Sequence, residues 1–71
     1  MQTKNELTPA QSETLAFIAA FREKNGYSPT IAEMAEAANV HGNAIADRIN
    51  MMIKKGVVIK TPGIARSIRP V

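Results

Sequence analysis

The sequence predicts a mainly α domain of three helices closed by a small β-hairpin, and three observations support it. Helix-start signals at Thr8, Thr30 and His41 each precede an apolar pattern of helical period. Gly26, Asn39 and Gly56, residues suited to left-handed backbone, follow those patterns as stops. The last fifteen residues, from Val57, hold a β-branched run, a Pro-Gly turn signal and a second extended stretch. With 71 residues there is room for one domain and not for two. We expect it to span 7–71, behind a flexible polar start from Met1 to Glu6. Only Phe17, Phe21 and Tyr27 are aromatic, so the core must rest on Ile, Leu, Val, Met and Ala.

The first helix opens at Thr8-Pro9-Ala10-Gln11. The Thr8 hydroxyl can cap, Pro9 suits a first-turn position whose N–H has no partner, and Gln11 completes a capping box. Leu7 stands at the staple position. The helix should run to about Lys24, with Asn25-Gly26 as its stop. Leu15, Ile18 and Phe21 mark its buried face, and Ala16, Phe17, Ala19 and Ala20 widen it. That width reads either as a helix packed on two sides or as a self-association surface that includes Phe17.

The second helix follows Ser28-Pro29, with Thr30 and Glu33 as another capping box. Its stripe is Ile31, Met34, Ala35 and Ala38, and it ends near Ala38. Asn39 tolerates the left-handed conformation of a tight turn, and Val40 should tuck into the core. His41-Gly42-Asn43 opens a third helix over 42–55, with Ile45, Ile49, Met52 and Ile53 on one stripe and Lys54 and Lys55 in the last turn. Val57-Val58-Ile59 reads as a strand and Thr61-Pro62-Gly63 as a turn. Ile64 to Arg69 reads as the returning strand, with Ile68 inward and Pro70 ending it.

Composition excludes several classes of function. There is no cysteine, hence no disulfide, thiolate metal site or thiol catalysis. One histidine leaves no nucleophile–base pair, and no glycine-rich phosphate loop is present. We expect no enzyme, cofactor, metal or small-molecule ligand. The longest apolar run, Leu15 to Phe21, has seven residues, far short of the roughly 20 of a membrane span. No secretory signal opens the chain. These readings point to a soluble cytoplasmic protein with no membrane partner.

The charge is unevenly placed. Residues 1–38 carry Lys4, Arg22 and Lys24 against five glutamates, net −2. Residues 39–71 carry Arg48, Lys54, Lys55, Lys60, Arg66 and Arg69 against Asp47 alone, net +5. A basic C-terminal half on a near-neutral chain reads as a footprint for a polyanion or as a solvated basic surface. The span Ile31 to Ile49 narrows the choice. A small residue at Ala35 lets two helices cross closely. Four residues on, Asn39 makes the turn, and Val40, Ile45 and Ile49 are apolar anchors. Followed by Lys55-Gly56 and a hairpin, this is the pattern of a three-helix winged helix-turn-helix.

The chain resembles the N-terminal DNA-binding domain of the LexA family of SOS-response repressors. The residues that carry the likeness are Leu7-Thr8 with Gln11, Gly26 to Thr30, Ala32 to Ala35, Asn43-Ala44, Lys55 to Val58, and Gly63 to Arg69. It extends from Leu7 to Arg69 and departs in a turn before the third helix that is one residue shorter; Asn39 stands where the helix-turn-helix pattern in general has glycine. It does not extend to that family's C-terminal Ser-Lys self-cleavage machinery. The resemblance therefore implies a bacterial or phage repressor that binds double-stranded DNA, and it does not imply self-cleavage.

Helix geometry assigns the roles. Off the apolar stripe of the third helix stand His41, Gly42, Asn43, Ala46, Asp47 and Asn50, and the N-terminal part of such a helix meets base edges. Asn43 suits an adenine edge or a helix cap. Asp47 suits cytosine N4 or an intramolecular partner. Ala44 and Ala46 let the helix sit deep or touch a thymine methyl, and Asn50 completes the base-contacting set. Arg48 can reach a phosphate or a guanine, and His41, Lys54 and Lys55 flank the backbone. Lys60, Arg66 and Arg69 form a wing over 60–69, with Arg66 at its tip. Ser28 and Thr30 can offer backbone N–H groups to a phosphate. A weak homodimer on a palindromic site is the expected assembly. The alternative is a protein-contact module, such as an antirepressor or small phage factor, on the same scaffold.

Overall fold

The computed structural model describes residues 6–71; the flexible start expected at Met1 to Glu6 lies, Glu6 apart, outside them. Three helices come first: α1 (Pro9–Asn25), α2 (Ile31–Ala38) and α3 (Gly42–Lys54). They are followed by β1 (Val58–Ile59) and β2 (Arg69–Pro70), an antiparallel pair in which Val58 faces Pro70 and Ile59 faces Arg69. This is a winged helix-turn-helix. None of the described helices is long and apolar enough to cross a membrane.

The helix ends follow their local chemistry. Thr8 and Thr30 each cap a helix, and each accepts from the amide of the third residue (Gln11, Glu33), whose side chain accepts from the cap amide in return. At the end of α2, Asn39 is left-handed, with φ 58°. Its N–H donates to Glu36 O and the Val40 N–H donates to Ala35 O, the paired bonds of a Schellman stop. Gly56 ends α3 in the same way: it donates to Ile53 O while Val57 donates to Met52 O. Val40 does not tuck into the core and is 38% exposed. The Schellman geometry uses its N–H but leaves its side chain on the outer side of the turn.

The core is Ile18, Met34, Ala35, Ile45, Ile49, Met52, Val58 and Ile68, with Leu15, Phe17, Ile31, Ile53 and Val57 packed against it. Ile45, Ile49 and Met52 form one fully buried stripe of α3. On α1 the buried positions are Gln11, Thr14 and Ile18. Leu15 and Phe21 are only half-buried, and Ala16, Ala19 and Ala20 are exposed. The wide apolar face expected for this helix is narrower because two polar side chains occupy its inner edge. Ala38 is likewise exposed, which shortens the α2 stripe to Met34 and Ala35.

The returning strand differs most from expectation. Pairing is confined to Arg69 and Pro70, and the chain from 60 to 68 loops away from the ladder. Thr61-Pro62-Gly63-Ile64 closes a turn in which Ile64 N–H donates to Thr61 O and Gly63 has φ 78°. Proline at the second position and a positive φ at the third are the marks of a type II turn. Arg66 then adopts φ 55°, which breaks any extended run. Ser67 Oγ substitutes for ladder bonds, accepting from Thr61 N–H and lying within reach of the Thr61 and Ile64 carbonyls. Pro70 sits inside the pair rather than ending it. Val71 N–H donates to Val57 O, so alternation turns the Pro70 nitrogen away from the partner strand.

Asn39 gives a direct check on the turn. Asn39→Gly keeps or slightly raises stability in urea, whereas Asn39→Val, β-branched at positive φ, lowers it by roughly 1–2 kcal/mol.

Candidate nucleic-acid interface

A helix that buries three side chains on one stripe must present the opposite stripe elsewhere. With Ile45, Ile49 and Met52 inside, α3 exposes Asn43, Ala44, Asp47 and Asn50, and Ala46 is half-buried at the edge. These five residues, expected from the sequence to meet bases, thus lie on one protruding face. The start of α3 differs from the other two helices: His41 is its N-cap and makes no side-chain cap bond. Asn43 lies inside the helix, two residues past the cap, so the capping role open to it from sequence is not the one it takes. The Ala44 and Ile45 amides both donate to His41 O, which leaves Gly42 and Asn43 as the first-turn amides of α3 without an intrahelical acceptor.

The basic residues divide into two groups. Lys54 and Lys60 are exposed and carry no ion pair or hydrogen bond among the described residues. Arg69 is half-buried and reaches only to Ser67 O, at 3.4 Å. The other three point back to the body. Arg48, half-buried at the edge of the inner stripe of α3, donates to Thr14 Oγ1 of α1 at 3.0 Å. Lys55 Nζ donates to Gln11 Oε1 at 2.6 Å and to Glu6 O at 2.8 Å. Gln11 is the same side chain that closes the α1 capping box. Free outward reach was expected of both residues. The structure instead uses them to fasten α3 to α1, because the buried polar positions Gln11 and Thr14 need partners. No buried side-chain N or O among the described residues lacks one.

Arg66 is the most heavily engaged. Its Nη1 and Nη2 donate to Glu33 Oε1 and Oε2 at 2.9 and 3.1 Å, a two-pronged fork, and Nη1 also donates to Ser28 O at 3.1 Å. The guanidinium lies over the Tyr27 ring, 4.8 Å from its centroid. Tyr27 meets Phe21 edge-on, and Phe21 meets Phe17, each at 5.8 Å. The expected wing tip is thus folded against the start of α2. Ser28 is 1% exposed, and its Oγ takes a bond from Arg22 Nη1 at 2.6 Å. The Thr30 N–H is taken by Glu33 Oε1 at 2.9 Å. Neither is placed as the anion donor expected at that helix start; the amides of Ile31 and Ala32 occupy the first turn instead.

Sequence reading did not single out Gln11, Thr14, Tyr27 and Glu33 as anchoring partners of these cations. Gln11 and Glu33 carry a clear capping signal, but nothing local marks a second partner 44 or 33 residues away.

The fork from Arg66 and, next, the Thr30 amide hold the Glu33 carboxyl below its ordinary value of 4.5, and the same pairing raises Arg66. A lowered carboxyl stabilises the fold above the ordinary carboxylate range, and that contribution disappears as pH falls through the lowered value. Both side chains are more than a third exposed, so solvent screens the pair. Side-chain carboxyl NMR titration checks the assignment. Arg66→Ala moves the Glu33 titration upward but not all the way to the ordinary value, because the Thr30 amide remains.

In sequence the chain matches a named module of known proteins. The LexA DNA binding domain family matches residues 4–67. The LexA repressor of Pseudomonas chlororaphis is 43% identical over 65 residues, covering 90% of this chain and 32% of that protein. The LexA repressor 1 of Pseudomonas putida is 42% identical over the same shares. The LexA repressor of Oleidesulfovibrio alaskensis is 35% identical over 65 residues, 92% of this chain and 31% of its own length. The chain thus spans about a third of the length of the curated relatives it matches. The three helices, the left-handed turn at Asn39 and the exposed α3 face accord with that match, and the chain belongs to the LexA DNA-binding domain family.

Proposed function

We propose that this chain is a sequence-specific double-stranded DNA-binding repressor that lays α3 in the major groove. One observation carries the reading: Asn43, Ala44, Asp47 and Asn50 protrude together from a helix whose opposite stripe is fully buried. A helix so presented fits the width of a B-form major groove. Asn43 offers an amide to an adenine edge, Asp47 accepts from cytosine N4, and Asn50 extends the polar stripe. Ala44 and Ala46 allow close approach or contact with a thymine methyl. His41 and Lys54 flank the helix near the phosphates, and Lys60 and Arg69 supply wing contacts to the backbone or minor groove. Two copies on a palindromic site would extend the small footprint of one module. The chemistry of the face is recognition, not catalysis.

The rival reading is a protein-contact module. It draws on the groove between α1 and α2, lined by Phe17, Ala20, Phe21 and Ala37. Mobility shifts with duplex DNA across a salt series separate the two. DNA binding by this face gives affinity that falls linearly in log–log form with salt, with a slope of about −0.9 per phosphate neutralised. Absence of binding to any duplex below tens of micromolar at low salt hands the case to protein contact. Within the DNA reading, Asn43→Ala costs about 1–3 kcal/mol at particular base pairs and leaves the salt slope unchanged. Lys60→Ala weakens all duplexes alike and lowers the slope by about one.

A further inference from the structure

The wing loop, residues 60–68, is joined to the helical body by the buried Ile68 side chain at its end and by the polar contacts of Arg66. Its internal bonds run through Ser67 and the Thr61–Ile64 turn. Among the described residues, every hydrogen bond that crosses from this loop to the helices and the segment before α2 comes from Arg66. Its pairing with Glu33 is also the one salt bridge among them. A cleft lined by Thr30, Ile31, Lys60 and Ile64 separates the loop from the start of α2, and Arg66 lines it too. Arg66 holds a left-handed backbone, φ 55°, which a side chain with a Cβ disfavours. Such a conformation persists where the surroundings over-determine it, and here the guanidinium is gripped by a carboxylate, a carbonyl and a ring.

We propose that Arg66 is a positioning residue of the DNA interface rather than a DNA contact: it latches the wing to α2 through Glu33 and so sets where Lys60 stands relative to the reading face of α3. The proposal rests on the DNA-binding reading above. To reach a phosphate, Arg66 must surrender both prongs of its fork and its carbonyl bond. That would leave the Glu33 carboxylate unpaired at the wing, where a phosphate backbone would repel it. A latched Arg66 avoids both costs. It neutralises the one acidic group at the wing base and leaves Lys60 unpartnered to meet the backbone.

The two roles predict opposite signs for a change at Glu33. Glu33→Gln keeps the capping box, since glutamine at that position caps as well, and Gln11 does so in α1. It removes one negative charge. If Arg66 contacts DNA directly, losing the competing carboxylate strengthens binding. If Arg66 is a latch, Glu33→Gln weakens binding despite the gain in positive charge. Mobility shifts on mixed-sequence duplex DNA at low salt, with thermal unfolding followed in parallel, read the difference. We expect Glu33→Gln and Arg66→Ala each to weaken binding on the order of tenfold, and the double variant to lose no more than Arg66→Ala alone, because the residues act as one unit. Arg66→Lys, which keeps the charge but not the fork, should restore little. Binding by Glu33→Gln as tight as the parent overturns the proposal, and so do losses that add in the double variant. Amide hydrogen exchange reads the latch without DNA: the Thr61 and Ile64 amides exchange several-fold faster in Glu33→Gln, and unchanged rates overturn it. A parent chain that binds no duplex sinks the DNA reading instead, and the exchange rates then decide the latch alone.

Discussion

The domain is organised around the need of one helix to serve as core and surface at once. Ile45, Ile49 and Met52 are buried at the centre, and Ile18 of α1, Met34 and Ala35 of α2, Val58 and Ile68 close around them. A short chain with three aromatic residues has little apolar area to spare, so each of these side chains matters in proportion. The same burial sets the orientation of Asn43, Asp47 and Asn50. Rotating α3 to hide them would bring its isoleucines into water.

Charge is used economically around that helix. Arg48 and Lys55 bond to neutral oxygens, on Thr14, Gln11 and the Glu6 carbonyl, so they brace α3 while keeping their full positive charge. Long-range attraction depends on that charge and not on a free terminal group. Arg66 differs because its partner is itself charged; it contributes order to the wing and little net potential. Two side chains do double service: Gln11 and Glu33 each close a capping box and receive a cation from the C-terminal half.

Much of the fold is legible in the sequence. The helix limits and both capping boxes follow from interactions spanning three or four residues, as do the left-handed stops at Gly26, Asn39 and Gly56 and the α3 stripe. The exposed face of α3 follows in turn, since a periodic stripe implies its opposite. Misreadings arose where local pattern met a competing side chain. The alternation from Ile64 to Arg69 suggests a strand, but Ser67 and the left-handed Arg66 build a loop. Leu15 and Phe21 suggest the inner edge of α1, but Gln11 and Thr14 occupy it because cations from α3 reach them there.

The amino-acid sequence alone settled the order of elements, the helix-turn-helix pattern and the stripe that α3 turns inward, because capping, glycine-like stops and apolar periodicity act over a single turn. Only the tertiary structure decided which of the six cations after residue 38 project freely and which brace the fold. Lys55 finds Gln11 across 44 positions, Arg48 finds Thr14 across 34 and Arg66 finds Glu33 across 33. Partnerships over such separations are made when packing brings distant helices together, and no periodicity along the chain encodes them.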